Sequence, residues 1–446
     1  MVAIRYVNDY GDGTSGYLDY GSGIVVTTAS GQPIEVTSTS SGVVNIQPFG
    51  VATDAFGRLR SSAPLTLFDS SHRYKDNGLW ATTSGTGGTT VFDANAGLVN
   101  LNVTTASNSE IIRETTKVFA YQPGKSLLVM STFVMNAPKA GLRQRIGYYG
   151  ANNGIYLEKN GTASPTFVER SYVTGALTET SVAQSSWNGI DKLDGTGPSG
   201  ITLDLTKAQI FWMDIEWLGL GTVRMGFVID GKLIHCHSFH HANLITSTYI
   251  TTASLPLRYE IRNTAATASS STLKQICSTV ISEGGYELRG LQQAIGTSIT
   301  APYSLTTAGT FYPVISLRLK TTALDAIVIL TAISIMSAAG TANYAWRVVA
   351  SPTTTAGSWV SAGADSAVEY NLTGTASTGG RILAQGYFSG GNQSHPSIDI
   401  LKEALFKFQL ERDGLAGTPY ELSLLIAASA NTSTVHAAVD WEEISR

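Results

Sequence analysis

The run Gln209-Ile-Phe-Trp-Met-Asp-Ile-Glu-Trp-Leu218, followed by Thr222 to Ile229, Asp230-Gly231 and Lys232 to Phe239, decides the fold. Side chains alternate across a strand. Phe211, Met213, Ile215 and Trp217 therefore fall on one face, and Trp212, Asp214 and Glu216 on the other. Asp-Gly between two such runs reads as a type I′ hairpin turn. The pattern recurs outward. Ser126 to Met135 and Leu142 to Tyr149 read as strands, the second with Leu142, Gln144, Ile146 and Tyr148 opposite Arg143 and Arg145. Ile155 to Glu158, between the turns Asn152–Gly154 and Asn160-Gly161, and Leu255 to Arg262 add two more. At least six antiparallel strands with alternating faces predict a two-sheet, jelly-roll β-sandwich over residues 63–290.

A second β unit is expected over residues 291–446. Its strands read as Tyr312 to Lys320, Ala326 to Met336, Tyr344 to Ala350, Ser358 to Val360 and Val368 to Leu372. Phe406 to Glu411, Glu421 to Ala428 and Val435 to Glu442 complete it, the last with Val435, Ala437, Val439 and Trp441 on one face. The Gly/Thr-rich stretch Ala294 to Gly309 reads as the linker. Only Ser271 to Ile281 and Leu401 to Phe408 offer helix candidates, so the chain is predicted to be all-β. Residues 1–62 differ: small apolar islands (Ile24–Val26, Ile34–Val36, Val43–Ile46) stand among Gly, Ser, Thr and Asp. They read as an extended N-terminal attachment arm, whose sixty-odd residues would reach roughly 200 Å at full extension.

Composition narrows the function. Charged residues make up 14% of the 446 residues and hydrophobic ones 43%, which excludes a charge-rich disordered chain. A net charge of −4 without a basic block argues against nucleic-acid binding. The first residues lack the basic and apolar regions of a signal peptide. The longest apolar run, Ala326 to Met336, is far short of a membrane span, so a soluble chain is expected. Cys236 and Cys277 read as two small apolar side chains.

Few residues suggest chemistry. His235, His237, His240 and His241 form a candidate zinc cluster, since residues two apart on a strand share a face. Asp214 and Glu216 share a face in the same way and resemble the paired carboxylates of glycoside hydrolysis, although no third acid completes a glycanase motif. Asp9, Asp12 and Asp19 lie among glycines without an EF-hand register. Neither a phosphate-binding loop nor a Gly-x-Ser-x-Gly elbow is present. No catalytic residue and no cofactor is therefore expected. Trp359, Tyr387 and Phe388 are the candidate aromatics for glycan binding.

Several stretches resemble virion structural proteins of tailed bacteriophages, especially marine and cyanobacterial ones. They are Phe56-Gly-Arg-Leu-Arg60, Leu67-Phe-Asp-Ser70, Tyr121-Gln-Pro-Gly-Lys-Ser126 and Arg143-Gln-Arg-Ile-Gly-Tyr-Tyr-Gly150. Asp191-Lys-Leu-Asp-Gly-Thr-Gly-Pro-Ser-Gly200, residues 201–231, Leu255-Pro-Leu-Arg-Tyr-Glu-Ile261 and residues 271–286 extend the resemblance over roughly residues 50–290. The central unit also looks like laminin-G and legume-lectin jelly rolls, an analogy of fold and not of function. The resemblance implies a non-enzymatic virion component, made in the host cytoplasm and assembled on the particle. The expectation is a homotrimeric fibre, spike or tail-neck appendage, in contact with its own copies and with capsid, neck or tail proteins. A capsid decoration protein and a binder of host surface glycan are the alternatives.

Overall fold

The computed structural model describes residues 26–27, 33–38, 44–48, 64–287, 289–339, 341–390, 397–399 and 408–445. Residues 1–62 form one unit and residues 63–446 another. In the first, the strands Val26–Thr27, Pro33–Ser38 and Val44–Pro48 build a small antiparallel sheet, with Val26 opposite Ile34 and Val36 opposite Ile46. These short strands pair with one another. Asp9, Asp12, Asp19, Phe56–Arg60 and, of the helix candidate Leu401 to Phe408, residues 401–407 lie outside the described residues.

The second unit is all-β and holds two sandwiches. Among its described residues, the only helical segments are the single turns Gln184–Ser186 and Thr321–Ala323. The first sandwich opposes a seven-stranded and an eight-stranded sheet. The seven-stranded sheet runs Thr178–Ala183, Thr166–Ser171, Gly154–Asn160, Leu142–Tyr149, Leu257–Asn263, Glu110–Thr115, Trp80–Ser84. The other runs Lys232–Phe239, Val223–Ile229, Gln209–Ile215, Leu127–Val134, Ser271–Ser282, Leu98–Val103, Thr89–Asp93, with Leu65–Ser71 also pairing Ser271–Ser282. Ile146, Tyr148, Phe167 and Tyr259 from one sheet meet Val129, Phe211, Met213, Phe227 and Leu273 from the other in one core. The second sandwich packs a five-stranded against a six-stranded sheet around Trp346, Leu424, Ile426, Val439 and Trp441.

The Asp230-Gly231 hairpin forms as expected. Both residues have positive φ, 51° and 75°, as a type I′ turn requires. Two expectations fail. Ser271 to Ile281 is a strand, paired on one side with Leu127–Val134 and on the other with Leu98–Val103 and Leu65–Ser71. Its buried positions alternate except at Ile276-Cys277, where one extra residue shifts the register against Leu127–Val134 and breaks the period. The supposed linker Ala294 to Gly309 supplies strands Leu291–Gly296 and Tyr303–Leu305, both laid on the C-terminal strand Ser433–Ser445.

The sandwiches meet along a polar and apolar seam. Residues 409–412 run beside Thr115–Ala120: Gln409 Nε2 donates to the Val118 carbonyl at 2.9 Å and Arg412 N to the Thr116 carbonyl at 2.9 Å. Arg412 pairs with Glu114 at 2.6 Å and with Asp325 at 3.1 Å. Thr116 donates to Glu411 at 3.1 Å. Val118, Ala120, Ile327 and Ile329 close the seam as an apolar cluster.

Candidate functional site

Asp214 is the best-positioned acid. Its strand pairs it with Leu128 and Arg224, on the face away from the core, yet Asp214 is buried. Arg224 forms an ion pair with one carboxylate oxygen, while Oδ1 is buried without a partner. Burial pushes the Asp214 carboxyl up; Arg224 opposes this, and Glu283 and Glu216 add to it. The strand ends at Ile215, and Glu216 sits exposed in the following turn, its N–H on the Thr222 carbonyl. The two acids therefore do not stand side by side on one strand. Glu283, which no sequence pattern singles out, is the stronger acidic influence on Asp214.

The histidines are dispersed. A β-bulge in Lys232–Phe239 leaves Gly226 opposite His235 and Met225 opposite His237, with Cys236 as the extra residue. One inserted residue reverses the facing of every residue beyond it in the strand. His235 turns to Trp212 on the outer face, with ring centroids 6.3 Å apart, whereas His237 stacks on Phe167 in the core at 6.2 Å. The expected shared face is lost. Burial, with His235 and His240 nearby, holds His237 down at about 4. His240 is exposed and faces Thr222 at 3.4 Å. Among the described residues no group of three or more His, Cys, Asp or Glu side chains is arranged to hold a metal.

His241 belongs to a different structure. Its ring stacks on Tyr249 at 3.9 Å with an interplanar angle of 4°. Nδ1 lies 2.6 Å from the Gly221 carbonyl and Nε2 2.6 Å from Glu169 Oε2. The imidazole thus joins the loop after Lys232–Phe239, the turn after Gln209–Ile215 and strand Thr166–Ser171.

The aromatic candidates are also separated. Trp359 lies just before Val360–Ser361 at one edge of the six-stranded sheet, under the Arg318 guanidinium at 4.1 Å. Tyr387 and Phe388 occupy the opposite edge strand, Arg381–Ser389. Phe388 stacks on core Tyr344 at 4.7 Å, and its neighbour Tyr387 points out, 80% exposed.

Two features went unread in the sequence. The first is a charged layer on the outer face of the seven-stranded sheet. Arg145 pairs with Glu158 at 2.6 Å, Arg143 with Glu260 at 2.7 Å, Arg170 with Glu179 at 2.8 Å, and Arg258 Nε with Glu114 at 2.9 Å. Tyr149 and Tyr156, with centroids 4.5 Å apart, lie among these guanidinium groups and are fully buried. The second is a cavity of about 420 Å³ at the meeting of the sandwiches, walled by Tyr121, Gln122, Pro123 and Lys125, by Tyr286, Glu287 and Arg289, and by Ile444. Its first wall is a turn: Lys125 N donates to the Gln122 carbonyl at 3.1 Å, and Gly124 has φ +82°. Pro then Gly at the two central positions is the type II signature. That Pro-Gly pair was the available signal.

No protein-family model matches the chain, and no curated protein matches it significantly. Solved structures do match. A Bacillus licheniformis β-glucanase shares 12% identity, over 48% of this chain and 96% of its own, with a TM-score of 0.32. The carbohydrate recognition domain of Emp47p shares 12% over 52% of this chain and 100% of its own, with a TM-score of 0.31. A carbohydrate esterase of a Shiga toxin-encoding bacteriophage shares 12% over 50% and 100%, with a TM-score of 0.30. Likenesses at this level assign no activity to the chain.

Proposed function

We propose that the chain is a non-enzymatic structural component of a tailed-phage virion. In this reading it is a trimeric fibre, spike or tail-neck appendage, attached through residues 1–62. The carrying observation is that most of the candidate polar groups, the Asp214 Oδ1 oxygen excepted, are engaged in holding the fold. Asp214 is paired with Arg224, His241 with Glu169 and Gly221, and Glu114 with both Arg258 and Arg412 across the two sandwiches. Removing either partner of such a buried pair is strongly destabilising, so these charges act as structural ties. The resemblance of residues 50–290 to phage virion proteins supports the same reading.

The first test is the composition of purified particles from a phage whose genome encodes this chain. Peptides from the whole sequence are expected at stoichiometric copy number; their absence from particles overturns the proposal. The second is the mass in solution of the full chain beside one starting at Ala63. A trimer in both places association in the sandwiches, and a monomer in both removes the trimer. Release of sugar from any polysaccharide, abolished in Asp214→Asn, would overturn the non-enzymatic reading.

A further inference from the structure

We infer that one end of the first sandwich, carried on three loops, is the surface on which a second copy of this chain docks. The loops are residues 172–177, between Thr166–Ser171 and Thr178–Ala183, residues 217–221, after Gln209–Ile215, and residues 242–249, after Lys232–Phe239. Strand pairing sets their bases: Ser171 stands opposite Thr178, and Val223 opposite both Ile215 and Phe239. Hydrogen bonds join them. Tyr249 N donates to the Gly219 carbonyl at 3.0 Å. Asn153 Oδ1 accepts from Tyr172 N at 3.2 Å and from Thr251 N at 3.1 Å. A surface tied together in this way loses little freedom on association.

The loops present apolar side chains to water. Tyr172, Leu177, Leu218, Leu220, Leu244 and Ile245 are all exposed, Leu244 by 72%. Exposed apolar residues scattered singly are ordinary, whereas a group of them on joined loops marks an interaction site. Leu218 adds a second sign. Its φ of +40° is a left-handed backbone that a bulky side chain adopts only at a cost. Its exposed side chain adds nothing to the core of its own sandwich.

Charge selects the occupant. Residues 172–177, 217–221 and 242–249 contain no Asp, Glu, Lys, Arg or His. Copies related by a rotation axis bring the same loops together near that axis, so any charge there meets its like. A charge-free surface removes that repulsion. A partner with a charged face would leave its charges unanswered. A membrane surface is typically held by Lys or Arg beside the apolar groups, and these loops have neither. Exposed Glu216 and His240 flank the loops in sequence, a polar border to an apolar centre. The inference rests on the oligomer of the proposed function and names the contact that builds it.

Analytical ultracentrifugation of the full chain tests it, with Leu244→Asp and Leu218→Asn beside the wild type. Asn accepts a left-handed backbone, so the second variant removes the apolar group and keeps the loop. The wild type is expected as an oligomer whose dissociation constant changes little with added salt, since no charge is screened. Leu244→Asp is expected to weaken association by about tenfold or more and Leu218→Asn a few-fold, both with unchanged circular dichroism. A cysteine pair gives a second reading. In a Cys277→Ser chain, which removes the exposed thiol, oxidation of Leu244→Cys is expected to give covalent dimers. Ile299→Cys, equally exposed but in the other sandwich, is expected to give none. An oligomer of unchanged mass in Leu244→Asp overturns this surface and leaves the oligomer standing. A wild-type monomer without covalent dimers overturns both the surface and the trimer, while particle composition remains the separate test of the virion reading. A wild-type monomer that co-sediments with phosphatidylcholine vesicles, and no longer does so in Leu244→Asp, replaces the second copy by a membrane.

Discussion

Both ring nitrogens of His241 face acceptors: the Gly221 carbonyl, which can only accept, and the Glu169 carboxylate. A neutral imidazole carries one N–H and can satisfy only one of them. Burial alone would lower the His241 pKa, but Glu169 and Gly221 outweigh it and raise it above the ordinary value. The sign is then fixed. A histidine whose folded pKa is raised contributes stability that is complete below its unfolded value of about 6.5 and is lost as pH rises through the folded one. Charge-assisted hydrogen bonds contribute roughly 1.5–3 kcal/mol. His241→Gln should therefore lower the melting temperature most below pH ~6 and progressively less as pH rises above neutrality. Melting curves of both proteins across that range check it. A constant difference at every pH would mean that the His241 ring does not change its charge across that range.

At the scale of elements, the outer face of the seven-stranded sheet tolerates large side chains only because one position in it is empty. Gly147 sits opposite Tyr156 on one side and Arg258 on the other. A Cβ there would fall 2.4 Å from the Ile155 carbonyl oxygen and 2.6 Å from Tyr156 Cα, both backbone atoms. Gly147→Ala should thus cost ~1–3 kcal/mol through forced backbone displacement. Gly150→Ala, whose Cβ meets nothing closer than 3.8 Å, should be nearly neutral. Urea denaturation midpoints of the two variants decide between close approach and a general cost of alanine.

That same sheet explains what could and could not be read from the chain. Leu142–Tyr149 was legible because its core face, Leu142, Gln144, Ile146 and Tyr148, alternates with arginines. The arginines themselves have the pattern of a solvent face. Only the partner strands, with Tyr156 and Glu158 on one and Arg258 and Glu260 on the other, turn that face into a buried ionic layer. Such a layer depends on register with two strands, one next along the chain and one more than a hundred residues away, which periodicity within one strand does not carry. The histidine face was misread for a local reason: a bulge adds a single residue, and nothing in Ile-His-Cys-His-Ser announces where it falls. The cavity was missed because its walls come from three separate segments.

For the whole molecule the decisive feature is the seam between the sandwiches. Arg412, 2% exposed, donates to the Thr115 carbonyl at 3.0 Å and pairs with Glu114 and Asp325. Glu114 is equally buried and is shared with Arg258 from its own sheet. Removing one member of a buried ionic group typically costs about 3–5 kcal/mol, because the remaining charge stays desolvated. Here the loss would fall on the junction and leave both cores intact, since neither hydrophobic core includes Arg412. With the seam whole, residues 63–446 should unfold in one cooperative calorimetric transition despite holding two cores. Arg412→Ala should split that into two, with the second sandwich melting first: its stability rests partly on the Gln409–Arg412 strip lying against Thr115–Ala120. Arg412→Met, which keeps the stem and its packing, should give a smaller separation, because Arg258 still neutralises Glu114. A single transition in all three proteins, merely shifted, would place the coupling in Val118, Ala120, Ile327 and Ile329 instead of in the charges. The rigidity of the junction would then come from apolar packing across the seam, and Ile327→Ala would be the variant that separates the two sandwiches.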